Sequence, residues 1–205
     1  MEKKFELTDE MIEVNGHKLY QIKALRNSRY GVFEQGQLGG FVESEHNLSQ
    51  FGESWIDEDA MVYGNAKVKG DAQVYGNAQV YGNALISGSA DVFDSAKVYG
   101  DTMVYGSAMV YGYAEVNGKA VVHHRAKVYD GATLTDNATI FGYAQLGDNT
   151  KVKDNAMVYG SAEVSGNTQI YGDAKVYGGA VVSGSAKVGG KAEMSEGYID
   201  DGCYN

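Results

Sequence analysis

An aliphatic residue recurs at every sixth position over most of the chain. All 23 positions of this series within residues 62–194 are Val, Ile, Leu or Met, without one insertion. The position two residues earlier, within residues 60–192, is Ala except at Thr102, Thr150 and Thr168. Because side chains alternate along a strand, two apolar residues separated by one exposed residue face the same core. The pattern predicts a strand of about three residues in each hexad.

Short turn sequences separate the predicted strands. Pairs such as Gly64-Asn65, Gly100-Asp101 and Gly106-Ser107 tolerate positive φ and tight corners. A strand this short is not stable alone, so successive strands must stack in register on one another. A period of six is typical of a parallel β-helix. Residues 60–194 show no break in composition, and we therefore expect one continuous solenoid.

The hexads resemble those of the hexapeptide-repeat superfamily, in which an aliphatic residue is followed by a small residue, two variable residues and Ser, Thr, Ala or Val. This chain departs from that pattern because it prefers Tyr directly after the aliphatic residue and places Gly one position later. The resemblance implies an all-β fold, a left-handed parallel β-helix shaped as a triangular prism with three hexads in each coil. We expect about eight coils, and hence a rod roughly 35–40 Å long.

The start of the chain carries a second resemblance. Residues 19–25, 38–45 and 47–50 are similar to the opening of a bacterial and prophage-borne branch of hexapeptide-repeat proteins. Proteins of that branch carry generic labels, transferase-like or polymer-forming cytoskeleton-like. Together the two resemblances span residues 19–194 and indicate a fold.

Caps are expected at both ends, because an open β-helix leaves unpaired strand edges. Asn15-Gly16 lies between two alternating segments and predicts a β-hairpin. We therefore predict a capping segment with this hairpin over residues 1–41 and a β-helix over residues 42–194. Residues 195–205 form a short C-terminal cap in this prediction, with Tyr198, Ile199 and Tyr204 covering the last coil.

The net charge of −10 is concentrated at the ends of the chain. Residues 1–59 carry −6, residues 60–194 carry −1 and residues 195–205 carry −3. A rod that imitates DNA needs acidic charge along its length, and binding to nucleic acid needs a basic cluster. Neither feature is present, so we expect no nucleic-acid partner.

The sequence contains no feature that predicts membrane association or a disulfide bond. The first residues are charged, and no stretch approaches 18 apolar residues, so we expect no signal peptide, no membrane partner and a cytoplasmic location. Cys203 is the single cysteine, which excludes an internal disulfide and a cage of cysteines around a metal.

Aromatic residues follow many of the aliphatic positions and should stack at intervals of eighteen residues. Sorting by interval predicts one ladder on each face of the prism. The first contains Tyr63, Tyr81 and Tyr99, the second Tyr75, Phe93, Tyr111 and Tyr129, and the third Tyr105, His123, Phe141, Tyr159 and Tyr177. Stacked rings stabilise a solenoid, while exposed aromatic stripes are typical of binding surfaces. Both interpretations stay open, and the second makes Tyr105, Phe141, Tyr159 and Tyr177 candidate binding residues.

His123-His124-Arg125 replaces the usual Tyr-Gly-Asn at one corner. The superfamily resemblance implies that a histidine could act as general base in acyl transfer from a thioester, with His123 and His124 as the candidates. Arg125 could then hold a phosphate of the acyl carrier. The competing interpretation places His123 in the aromatic ladder and makes His124 a variant of the corner residue.

A zinc site of three histidines, known for some relatives, is not expected. Of the four histidines only His123 and His124 are near each other in sequence, and adjacent residues at a corner should point apart. We expect no metal and no cofactor, except acyl-CoA if the protein is an acyltransferase.

The sequence favours a non-catalytic scaffold or interaction surface. Residues 60–194 contain no loop that could wall a substrate pocket, and we expect self-association, with an unknown protein or small molecule as a further partner. The alternative is an acyltransferase that uses acyl-CoA or an acyl carrier.

Overall fold

The computed structural model describes residues 3–205, and nearly all of its ordered backbone is β-strand or tight turn. Three longer strands open the chain: β1 (Phe5–Val14), β2 (His17–Ala24) and β3 (Leu38–Val42). A 3-10 turn follows at Glu45–Asn47, and no α-helix occurs within residues 3–205. The later strands are β4 (Trp55–Ile56), β5 (Met61–Val62), β6 (Lys67–Val68), β7 (Gln73–Val74), β8 (Gln79–Val80), β9 (Leu85–Ile86), β10 (Asp91–Val92), β11 (Lys97–Val98), β12 (Met103–Val104), β13 (Met109–Val110), β14 (Glu115–Val116), β15 (Val121–Val122), β16 (Lys127–Val128), β17 (Thr133–Leu134), β18 (Thr139–Ile140), β19 (Gln145–Leu146), β20 (Lys151–Val152), β21 (Met157–Val158), β22 (Glu163–Val164), β23 (Gln169–Ile170), β24 (Lys175–Val176), β25 (Val181–Val182), β26 (Lys187–Val188), β27 (Glu193–Met194), β28 (Tyr198–Ile199) and β29 (Cys203–Tyr204).

These strands form three sheets that close a triangular solenoid, and all pairings from β3 onward are parallel. Sheet 1 has twelve strands in the order β1-β2-β3-β5-β8-β11-β14-β17-β20-β23-β26-β29. Sheet 2 has nine strands, β4-β7-β10-β13-β16-β19-β22-β25-β28, and sheet 3 has eight, β6-β9-β12-β15-β18-β21-β24-β27. From β4 to β26 each strand pairs with the strand three places later, so the register advances by eighteen residues over most of the solenoid, as in Val98↔Val116. The parallel triangular β-helix predicted from the hexads is confirmed, while its left-handed winding stays a prediction.

The core is a column of alanine and aliphatic side chains, as the hexads predict. The aliphatic series is fully buried from Val62 to Val188, and the alanines two places earlier are buried beside it up to Ala186. Apolar area removed from water is the dominant stabilising contribution in such a column. Thr102, Thr150 and Thr168 replace alanine and are also buried. The molecule is therefore filled along its axis by side chains.

The strands are two residues long where three were predicted. The alanine carbonyl belongs to the ladder, since Lys67 N donates to Ala84 O at 2.9 Å. The alanine amide does not, because at several corners it closes the preceding turn, as in Ala96 N to Phe93 O at 3.3 Å. The corner thus takes one residue that the hydrophobic pattern alone assigns to the strand.

The N-terminal hairpin covers the first coil. β1 and β2 are antiparallel around Asn15-Gly16, and β2 pairs antiparallel with β3, which confirms the predicted hairpin. The Phe33 ring stacks on Trp55 with their centroids 4.4 Å apart. Both rings are buried, so this pair seals the start of the apolar column.

Nine strands in sheet 2 indicate about nine coils, where eight were expected. The difference arises at both ends of the repeat. Val42 and Leu48 pair with Val62 and Val68, and they supply an irregular opening coil. At the other end β28 pairs with β25 and β29 with β26, so residues 198–204 continue the sheets. The division at residues 41 and 194 stays a prediction.

Candidate functional site

The third ladder lies along the outer surface of sheet 3. Its successive ring centroids are 4.9, 5.0, 4.7 and 4.9 Å apart, and the interplanar angles are 12° or less. This separation matches the spacing of adjacent strands, so each ring stacks directly on the ring of the next coil. The structure thereby brings Tyr105, His123, Phe141, Tyr159 and Tyr177 into one column. Their role in binding stays a prediction.

Two further ladders follow sheets 1 and 2. Tyr63, Tyr81 and Tyr99 stack at 5.0 and 4.8 Å, and the four rings from Tyr75 to Tyr129 stack at 4.9, 4.8 and 5.3 Å. Tyr129 lies over Gly147, where an added Cβ would approach the ring to within 2.6 Å. Because all three faces carry such columns, stacking in itself does not mark one face as a binding surface.

His123 is held between two aromatic rings. Its ring stacks on Tyr105 on one side and on Phe141 on the other, and it is only partly exposed. Burial lowers the pKa of His123 below its ordinary value, and the neighbouring His124 lowers it further. The imidazole is therefore held toward its neutral form, which is the form a general base requires.

His124 occupies a corner position with a backbone that disfavours most side chains. Its φ is +63°, and the equivalent corners one coil before and after are Gly106 and Gly142, at +76° and +75°. At the other described corners of the hexads with positive φ, the residue is either glycine or an acidic residue such as Asp130. A side chain in this region costs about 1–2 kcal/mol. The position therefore carries a backbone strain that glycine would remove.

The two histidines do not point apart, and that expectation was wrong. Their Nδ1 atoms are 2.6 Å apart, and one ring donates to the other. The left-handed backbone of His124 turns its side chain back over the His123 ring, with the centroids 4.6 Å apart. Within residues 3–205 no group of three His, Cys, Asp or Glu side chains is arranged to hold a metal ion.

Arg125 completes a shallow recess beside His124. The guanidinium lies 5.6 Å from the Tyr143 ring centroid, and Nη1 donates to the Tyr143 hydroxyl at 3.4 Å. The recess has a volume of about 310 Å³, and Gly106, Ser107 and Gly142 complete its lining. It is an open depression at a corner, and its walls are formed by side chains of adjacent coils.

The sequence reasoning missed a second column on sheet 3, which faces outward one position before each buried aliphatic residue. Its five central members carry no charge: Leu85, Met103, Val121, Thr139 and Met157. We call this set the strip. Met103 is 42% exposed, so the strip reaches solvent next to the third ladder. The eighteen-residue interval that predicts the ladders also predicts this column, but its members share no residue type that marks them as a set.

The matching columns of the other sheets contain charges. Sheet 1 has Lys97, Glu115 and Lys151 at the outward positions, and sheet 2 has Asp91, Lys127 and Glu163. On sheet 3 the corresponding charges are confined to the ends, at Lys67, Lys175 and Glu193. An uncharged strip beside an aromatic ladder makes the surface of sheet 3 the most apolar of the three faces. We call the strip and the third ladder together the sheet 3 face.

A second recess, of about 640 Å³, lies at the N-terminal cap. Its floor is an ion pair between Arg26 and the buried Glu53, with Arg26 Nη2 3.2 Å from Glu53 Oε1. Hydrogen bonding to Arg26 and to the backbone of Arg29 lowers the pKa of Glu53, against the opposing effect of its burial. Arg26 also lies over the Phe33 ring at 5.5 Å. These contacts fix the cap to the first corner.

Lys4 is fully buried and bonds to Ser54, the residue that follows Glu53. Its Nζ donates to the backbone oxygen of Ser54 at 2.6 Å and to the Ser54 hydroxyl at 3.1 Å. Burial, and then the positive charge of Arg26, lower its pKa to about 7, while Glu53 and Asp71 oppose the shift. A charged side chain at this depth makes the cap sensitive to pH.

Comparison with known families agrees with the repeat. A family model described as YdcK Beta solenoid repeat matches residues 78–92 and 169–184. The first stretch contains β8, β9 and β10, and the second contains β23, β24 and β25, so each is one coil. No curated protein matches the chain. The fold and this match define a β-solenoid repeat protein.

The structure contains no helix, among residues 3–205, that is long and apolar enough to cross a membrane.

Proposed function

We propose that the protein is a non-catalytic scaffold that self-associates through the sheet 3 face. The uncharged strip carries this proposal, because it spans five successive coils on one face only. Charged residues are depleted at the centre of protein interfaces, and aromatic residues and Met are enriched there. The strip and the third ladder have this composition. Stacking accounts for the ladders on all faces, whereas it does not account for the missing charges on sheet 3.

The regular coils agree with a scaffold. Successive strands from β5 to β27 are joined by corners of four residues, so no inserted loop stands over any face. A small-molecule site is usually a cleft that buries most of its ligand. The sheet 3 face is an extended surface of stacked strands, which suits another protein surface better.

Two methionines provide a matched test of this proposal. Met103 and Met109 occupy equivalent outward positions on successive strands, β12 on sheet 3 and β13 on sheet 2. Met103→Lys places a charge in the middle of the strip and should weaken association by at least about tenfold. Met109→Lys should leave association unchanged. Sedimentation equilibrium of both variants and of the original chain measures the dissociation constants.

A monomer at the highest attainable concentration of the original chain would refute the scaffold proposal. Equal weakening by the two substitutions would also refute it, because the effect would then not belong to sheet 3. Circular dichroism of both variants establishes that the solenoid is intact.

A second candidate function, acyl transfer, is favoured by the retained strain at His124. A histidine at a φ of +63° carries a backbone strain that glycine would avoid, and such strain is typical of functional sites. In this alternative a neutral histidine takes the proton of a hydroxyl or amine as that group attacks a thioester carbonyl, and the thiolate leaves. Arg125 would hold a phosphate of the acyl carrier.

Thermal denaturation with acetyl-CoA separates the two functions. A ligand that binds only the folded chain raises the melting temperature. The scaffold proposal predicts no shift with acetyl-CoA. A shift that disappears in the double variant His123→Ala, His124→Ala and also in Arg125→Ala would support acyl transfer and would overturn the non-catalytic proposal.

A further inference from the structure

The two ends of the strip differ in charge, since one carries only lysines and the other carries a lysine and a glutamate. Lys67 lies one coil before Leu85 in the same outward column. Lys69 lies at the same level, in the column of the third ladder. At the other end Lys175 and Glu193 follow Met157. Lys67, Lys69 and Glu193 are exposed, so a surface placed on this face would meet a basic end and a mixed, partly acidic end.

We propose that the surface which covers the sheet 3 face is a second copy of the chain, packed antiparallel about a two-fold axis. This inference rests on the proposed function and adds the orientation and register of the two copies. The axis runs along the strand direction, between the coils of Val121 and Thr139. Each column of one copy then faces the same column of the other, in reverse order.

Electrostatics favours the antiparallel arrangement over the parallel one. With the two solenoids parallel, the outward column of one copy faces the ladder column of the other at the same level. Lys67 of each copy would then meet Lys69 of the other, and like charges at an interface oppose association. In the antiparallel arrangement Lys67 faces Glu193 of the second copy.

Lys175 fits the antiparallel arrangement as well. Its Nζ lies 2.6 Å from Glu193 Oε1 within the chain, so its ammonium group already forms an ion pair. The four methylenes of its side chain can cover Leu85 of the second copy while the ammonium group stays on Glu193. Glu193 has a second carboxylate oxygen with which to accept from Lys67.

The apolar residues match under the same operation. Reversing the order of the strip places Met103 opposite Met157 and Val121 opposite Thr139. In the ladder column, Tyr105 meets Tyr159 of the second copy, and His123 meets Phe141. No charged residue of these two columns lies between Met103 and Met157, so the centre of the interface is uncharged.

An interface of this kind closes on itself. Because both copies use the same surface, association stops at two chains. A head-to-tail interface would instead continue into a filament. The arrangement therefore predicts a finite dimer, which differs from the polymer-forming label carried by the branch that the start of the chain resembles.

Crosslinking between single cysteines tests the orientation. In a Cys203→Ser background, which removes the natural cysteine, Leu85→Cys and Lys175→Cys are prepared separately. The two positions are five coils apart, about 24 Å along one chain. The antiparallel dimer places them opposite each other. A short bis-maleimide should therefore crosslink the mixture of the two variants and neither variant alone. Met109→Cys, mixed with either variant, is the control on another face.

Each outcome has a separate meaning. Crosslinking of Leu85→Cys with itself, in a chain that sediments as a dimer, would overturn the antiparallel orientation and leave the scaffold proposal in place. A dimer in which neither variant nor the mixture crosslinks would also overturn it. A chain that sediments only as a monomer would overturn both proposals.

Discussion

At the scale of single residues, His124 shows how one side chain departs from the demands of its repeat. The corner requires positive φ, and the neighbouring coils meet this requirement with Gly106 and Gly142. His124 accepts the strained backbone and gains a contact with His123. An exposed contact of this kind contributes little to stability, so it does not offset the strain of the backbone.

Replacing His124 should therefore stabilise the fold. His124→Gly relieves the left-handed backbone, and we expect the free energy of unfolding to rise by about 1 kcal/mol. Urea denaturation followed by circular dichroism measures the change. Gly142→Ala is the opposite control, since its Cβ would lie 2.8 Å from Gly160 O, and it should destabilise the chain. A loss of stability in His124→Gly would show that the histidine is structural.

Lys4 gives the cap a dependence on pH whose sign follows from its pKa. The folded-state value is about 7, whereas the ordinary value is 10.5. Between these values the unfolded chain binds a proton that the folded chain does not. Stability therefore rises with pH across this window, by about 1.4 kcal/mol per pH unit.

Lys4→Met should remove this dependence. We expect the unfolding free energy of the original chain to increase between pH 7 and about 9.5, and that of the variant to stay flat. The range stops below the titration of the tyrosines, because the raised pKa values of Tyr75, Tyr81 and Tyr99 lower stability at higher pH. Equal slopes in the two chains would show that Lys4 is not the titrating group.

At the scale of elements, the aromatic ladders stabilise strands that are too short to be stable alone. Each two-residue strand forms few hydrogen bonds with its neighbours, and the stacked rings add a contact between the same coils. The columns end at different heights on the three sheets. Their contribution should therefore depend on the number of neighbours that each ring has.

Two tyrosines of the second ladder test this dependence. Tyr111 stacks on Phe93 at 4.8 Å and on Tyr129 at 5.3 Å, whereas Tyr75 stacks on Phe93 alone, at 4.9 Å. Tyr111→Leu should destabilise the chain by about 0.5–1.5 kcal/mol more than Tyr75→Leu. Urea denaturation midpoints give the difference. Equal losses would mean that burial of the ring, and not stacking, is the source of its contribution.

At the scale of the whole molecule, the three faces of the prism share one core and differ in their outer columns. The column on sheet 3 is uncharged between Leu85 and Met157, and its charges lie only at the ends. A rod with one apolar face, lysines at one end of that face and an exposed glutamate at the other is suited to pairing with an inverted copy of itself.

Reversal of one end charge tests this view of the rod. Lys67→Glu places like charges opposite each other at both ends of the antiparallel dimer, and we expect the dissociation constant to rise by about tenfold at low ionic strength. Sedimentation equilibrium at two salt concentrations measures the change, which should shrink as salt increases. Lys97→Glu on sheet 1 is the matched control. An effect of the same size in both variants would contradict the assigned face.

The sequence by itself determined the fold because the repeat is local. A period of six places Val and Ala in the core. The superfamily resemblance implies three hexads in each coil, so residues eighteen apart are in contact, and this interval predicts the ladders. The shortening of each strand to two residues was not predicted. It depends on the carbonyl to which the alanine amide donates, and the hydrophobic pattern does not specify that carbonyl. The approach of His124 to His123 was also missed, because only the left-handed corner turns one ring over the other.

The strip on sheet 3 was not recognised from the sequence, although its positions follow the same eighteen-residue interval as the ladders. Leu85, Met103, Val121, Thr139 and Met157 lie eighteen residues apart, and each stands between two buried residues of the core. They form one uncharged surface only because the chain winds into three sheets. This winding makes the five residues adjacent and separates them from the charged columns of sheets 1 and 2. A hydrophobic period identifies what is buried inside a coil. An outer surface is formed by residues of successive coils, and the tertiary structure decides which residues of those coils are neighbours.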